Sequence, residues 1–148
     1  MNPAAARAVA LAAHVGHRTH LGEPLVRHLE RVAARVPSAA VATAWLHELG
    51  DRGAGSVHDL LARGITSVEL TALELLTFGE GEDFGLYVRR IARAHGEAGA
   101  LARAVKLAEL EDNLEHLPLR WPSRARYTWA LEEIRRGQRR SERRTAAA

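Results

Sequence analysis

The 148 residues, 47% of them hydrophobic, suffice for one domain with its own core and give no reason to look for a second. Cysteine is absent, which excludes disulfides, thiolate zinc sites and cysteine nucleophiles, so any metal must be held by histidine and carboxylate. The net charge of +3 is unevenly spread: residues 135–148 hold six arginines against one glutamate, which leaves −2 on the rest.

No apolar run approaches the roughly 20 residues of a membrane span, and the Ala-rich start is broken by His and Arg rather than forming a signal-peptide core. A cytoplasmic protein without a membrane partner is expected. The basic tail, residues 135–148, reads as the solvated, frayed end of a terminal helix, following a helical domain over 1–134. Aromatic residues make up only 5%, too few for a single-strand stacking surface, so nucleic acid is not an expected partner.

In chain order, residues 3 to about 18 have the composition of a helix. A loop with two glycines and a proline follows, carrying His14, His17 and His20, which read as polar loop histidines. Pro24 fits the first turn of a second helix, whose Leu25, Leu29, Val32 and Val36 recur at helical spacing with His28 beside them. Ser38 is the expected N-cap of a third helix over 39–49, ended by Gly50. Asp51 to Gly55 reads as a flexible loop. Ser56 caps a short helix that stops at Gly64, and Ser67 caps the next, with Val68, Leu70, Leu73, Leu75 and Leu76.

Beyond an acidic loop over 77–83, Phe84, Tyr87, Val88 and Ile91 make the face of a helix ending near Gly96. The longest helix spans about 97–117: Leu101, Val105, Ala108 and Asp112 form one stripe, while Lys106, Glu109 and Asn113 share another at i, i+3 and i+7. Pro118 and Pro122 break it before a last helix with Tyr127, Trp129, Leu131 and Ile134. No segment alternates with period two, so the domain is expected to be all-α.

The chemistry centres on Trp45-Leu46-His47-Glu48-Leu49-Gly50-Asp51. Adjacent histidine and carboxylate diverge by about 100° on a helix, yet near its C-terminal end both can lean into one cavity. His28 on the preceding helix and Lys106-Leu107-Ala108-Glu109 on the long one are expected to converge there. Lys106 is also the one lysine among 21 basic residues.

This order of elements resembles the HD-domain metal-dependent phosphohydrolases, and within them small relatives of the RelA/SpoT-type guanosine tetraphosphate hydrolase domain. The residues that carry the resemblance are His14-Val15-Gly16-His17, Gly22-Glu23-Pro24-Leu25, His28, and Trp45 to Arg52. They continue with Asp59 to Gly64, Leu75-Leu76-Thr77 and Lys106 to Asn113, so that it covers roughly residues 5 to 135. It implies a helical HD bundle that hydrolyses phosphate or pyrophosphate esters. By the same resemblance His28, His47, Glu48 and Glu109 would ligate metal, Asp51 with Arg52 would serve catalysis, and Arg18, His20, Lys106 and Asn113 would bind substrate. Glu48 and Glu109 stand where the family has aspartate, and Asp51-Arg52 where it has Glu-Asp. Thr19 and His20 replace the arginine and lysine expected for the tetraphosphate, so a different small phosphorylated substrate, nucleotide-like, is expected. Two imidazoles and two carboxylates suit Mn²⁺, Fe²⁺ or Zn²⁺ better than Ca²⁺ or Mg²⁺. Loss of the metal would instead leave an inactive HD-fold binding or scaffold module.

Overall fold

The computed structural model describes residues 1–51 and 56–147. The described residues form a single all-α domain without strands, in which eight helices follow one another. They are α1 (Pro3–Ala13), α2 (Leu25–Arg35), α3 (Val41–Leu46), α4 (Val57–Ala62), α5 (Ser67–Leu76), α6 (Phe84–Arg93), α7 (Gly96–His116) and α8 (Arg124–Ala146), with one 3-10 turn at Ser38–Ala40. No helix among them is long and apolar enough to cross a membrane.

Helix α7 is the axis of the bundle, touching α2, α3, α5, α6 and α8, while α1 covers α3. Its stripe is buried as the pattern requires, with Leu101, Val105 and Ala108 facing Leu25, Leu29 and Val32 of α2 in one core. Lys106, Arg103 and Asp112 of α7 are buried as well. A helix enclosed on so many sides is normally apolar all round, so each of these charges calls for its own explanation.

Several ends differ from the sequence expectation, each for a local reason. Helix α1 stops at Ala13 rather than near Arg18, because Gly16 takes the left-handed conformation at φ +75°. His14, expected among the polar loop residues, is buried at that end, its Nδ1 3.1 Å from the His17 Nδ1. The third helix is divided: Ser38 opens a 3-10 turn and caps nothing, and the α-helix closes at Leu46 with a tight turn in which Leu49 N–H donates to Leu46 O. Gly50 owes its place to packing, since a Cβ there would come within 2.2 Å of the Thr77 Oγ1. The cap of α5 is Thr66 rather than Ser67, in a capping box with Glu69. The loop expected at 51–55 lies, beyond Asp51, outside the described residues.

The basic end also differs, since α8 stays helical through residues 135–146. Gly137 is buried in it, and a Cβ at this position would meet the Ala92 carbonyl oxygen at 2.2 Å. A glycine exposed in a helix interior gains about 1 kcal/mol on becoming alanine. Here the clash with backbone reverses the sign, and Gly137→Ala is expected to lose about 1–3 kcal/mol in a denaturant titration. A gain in stability would rule out the close α6–α8 contact.

Candidate metal centre

His28 lies within the apolar stripe of α2 and is 4% exposed. Its Nδ1 stands 2.8 Å from Asp112 Oδ2. Burial pushes the Asp112 carboxyl up, but hydrogen bonds from His28 and Arg31 outweigh it and hold the group well below the usual carboxylate range. The carboxylate therefore accepts, and His28 Nδ1 carries the proton. His47, in the turn after α3, places its Nδ1 2.7 Å from the Ala44 carbonyl, which can only accept. Both rings thus spend Nδ1 on orientation and leave Nε2 for a ligand, the arrangement common around metal-bound histidine.

The two rings lie 5.6 Å apart, centroid to centroid. His47 Nε2 is buried without a hydrogen-bond partner and sits 3.8 Å from Glu48 Oε1. One ligand atom from each of His28, His47 and Glu48 lies within 4.8 Å of the others, the one such group of three or more among the described residues. Ligand atoms about 2.1 Å from a shared ion stand up to roughly 4 Å apart, so this trio is already near the spacing a metal needs. Its nitrogen-rich donor set fits a divalent transition metal.

Glu109 stands beside the trio rather than within it. Lys106 Nζ holds both its carboxylate oxygens, at 2.9 and 2.8 Å. Burial alone would raise Glu109 and lower Lys106; their mutual attraction reverses both directions, and the neighbouring His47 and His28 lower Glu109 further. Lys106 Nζ also lies 4.8 Å from the centre of the Tyr87 ring, whose hydroxyl is pushed up to about 12 by burial. Asp51 accepts the Phe78 N–H at 2.7 Å, and its carboxyl is raised by burial, with the Glu48 charge adding to the effect.

The other expected site residues are more dispersed. Arg18 Nη1 donates to the Gly22 carbonyl and closes the loop before α2. His20 faces Trp121, ring centres 5.9 Å apart. Asn113 is half-buried next to Asp112 on α7, and Arg52 lies outside the described residues.

Arg31 was not singled out from the sequence, yet it binds both Asp112 oxygens, at 2.7 and 3.0 Å, and its remaining donors reach Glu23. The available clue was Asp112, a carboxylate closing the stripe Leu101–Val105–Ala108: a charge in a buried register must be paired. No protein-family model matches the chain, and no curated protein does.

Replacing Asp112 by Asn keeps its shape but removes the charge that orients His28 and anchors Arg31. Asp112→Asn is expected to cost about 2–3 kcal/mol in denaturant unfolding at pH 7, and to weaken transition-metal binding by about 10–100-fold. Unaltered stability and metal affinity would show that His28 needs no such support.

Proposed function

We propose that the chain is a metal-dependent phosphohydrolase of the HD type, acting on a phosphate or pyrophosphate ester of a small, nucleotide-like molecule. One observation carries the reading: His28 and His47, each with Nδ1 committed, bring a free ligand position next to Glu48 in a buried place. The order of motifs around these residues supports the reaction class.

Held by His28, His47 and Glu48, a Mn²⁺, Fe²⁺ or Zn²⁺ ion would supply a Lewis acid for a phosphoryl oxygen and ease deprotonation of water. Asp51 takes the proton of the attacking water, and its raised carboxyl makes it a better base than an exposed aspartate. Lys106, kept protonated by Glu109, contributes fixed positive charge where phosphoryl oxygens gain negative charge. Arg18, His20 and Asn113 serve substrate binding. Attack by water forms the new P–O bond, the ester P–O bond breaks, and the proton taken up by Asp51 passes through solvent to the leaving oxygen.

A second reading, an HD-fold binding module without activity, is favoured by the double hold of Lys106 on Glu109, which keeps the fourth expected ligand, the second acidic one, engaged. Elemental analysis of protein purified without chelator, combined with phosphate release from a panel of nucleotides, separates the two. The enzyme is expected to carry one transition metal per chain, to lose it in His28→Ala and His47→Ala, and to keep it in Asp51→Asn with kcat reduced by about 10²–10⁴-fold. Metal without phosphate release overturns the hydrolase assignment and leaves the metal centre standing. Absence of metal, with no rise in melting temperature on adding Mn²⁺ or Zn²⁺, overturns the metal centre and favours the binding module, which has lost it.

A further inference from the structure

Where α6, α7 and α8 meet, a pocket of about 270 Å³ is lined by Arg93, His95, Arg103, Arg140, Ser141 and Arg144, with Ala92, Ala94 and Gly137 completing it. No carboxylate is among these residues. The three backbones converge closely, because Gly137 approaches the Ala92 carbonyl and Gly99 approaches the Ala94 carbonyl with no Cβ between.

Arg103 is the unusual member. It projects from the enclosed α7, is 3% exposed, and lines the pocket. Its Nη1 donates to the Ala94 carbonyl, while its Nε is buried without a hydrogen-bond partner. It forms no ion pair with a carboxylate among the described residues. The acid that acts on it from a distance, Glu142, has one oxygen held by Gln138. A buried guanidinium is ordinarily paired, and this one is instead faced by further cations. Arg144 Nη1 donates to His95 Nδ1 at 3.3 Å, so this histidine accepts and is neutral in the contact. Burial and the Arg140 charge both press the Arg103 guanidinium below its ordinary value, the sign expected of a cation cluster without its counter-ion.

Four guanidiniums around one concavity repel one another unless an anion joins them. Their planar forks match phosphate oxygens in pairs. The volume lies below the ~300–1,000 Å³ of sites for drug-sized ligands, which favours a compact, highly charged group over a nucleic-acid backbone tracking the surface. We propose that this pocket is an anion site, made of residues other than those of the metal centre, that binds the diphosphate or an equally charged phosphate group of a small molecule through Arg103, Arg140 and Arg144. A regulator or a second part of a substrate could present the same group.

The probe is inorganic pyrophosphate, titrated calorimetrically into the full chain at about 0.15 M salt, where loose surface attraction is largely screened. Saturable binding of one pyrophosphate is expected, unchanged in His47→Ala. Arg140 and Arg144 are exposed, so the double variant Arg140→Gln, Arg144→Gln should fold normally and bind at least about tenfold more weakly. Arg139→Gln with Arg143→Gln removes equal charge from the same helix outside the pocket, and should change affinity by less than about twofold. In the natural chain, pyrophosphate should slow amide exchange in residues 92–103 and 137–146. Four results would overturn the proposal: no saturable binding, equal weakening in both double variants, loss of binding in His47→Ala, or tight binding of a single-stranded oligonucleotide that pyrophosphate does not displace.

Discussion

The Asp112 carboxylate, 1% exposed, is the interaction on which the candidate centre depends. It joins α7 to α2 twice, through His28 and through both donors of a bidentate Arg31. Hydrogen bonds to a charged group are worth about 1.5–3 kcal/mol each, enough in combination to overcome the cost of burying the acid. Arg31 continues to Glu23, so the loop before α2 is tied into the same network. The position of a histidine ring on α2 is thus set by a residue 84 positions further along the chain. Any slip of α7 against α2 would leave a buried charge and a buried imidazole unsatisfied together, which makes the register of the two helices and the aim of His28 one constraint.

The same economy governs the rest of α7. It carries an apolar stripe, but its remaining faces are enclosed as well, and the charges there are sorted by what meets them. Asp112 meets α2, and Lys106 meets Glu109 and Tyr87. Arg103, near the other end, meets a carbonyl and other cations. The first two are internally compensated, which is why they rigidify the bundle. The third has the Ala94 carbonyl for its Nη1 donor and no hydrogen-bond partner for its buried Nε.

What the sequence made legible was whatever the chain encodes locally. Composition, caps and helical periodicity together identified the eight helices, and the ends of α7 fell within one residue of their expected places. Adjacent His47 and Glu48, together with His28, were legible as a group, and the structure brings these three together. The unread features are consequences of distant contact. Gly50 looked like an ordinary helix terminator, yet its reason is Thr77, just past the end of α5. Gly137 lay in a stretch whose arginines pointed to solvent, and nothing nearby in the chain announces that Ala92 presses against it. Thr66 displaced Ser67 as cap because Glu69 lies three residues after the threonine, so the capping box, itself a local pattern, outranked the simpler single-residue signal. Asp112 was seen as the last member of a stripe, but its partners lie on α2.

The retained lysine has a physical account in this arrangement. Beside two imidazoles stand Glu48, Asp51 and Glu109, and the Asp51 carboxyl, raised first by burial, is pushed up further by the charges of Glu48 and Glu109 and eased by Lys106. A cation is therefore needed among them, in a position 6% exposed. An ammonium has three donors; here Nζ meets both Glu109 oxygens and lies 4.8 Å from the centre of the Tyr87 ring, whose own hydroxyl donates to the Leu76 carbonyl. A guanidinium would bring five donors in a rigid plane to the same enclosed space, leaving some unsatisfied at about 1–3 kcal/mol each. The other 20 of the 21 Lys and Arg positions are arginine. At position 106, against an aromatic face and a single carboxylate, only the compact point charge satisfies all its neighbours.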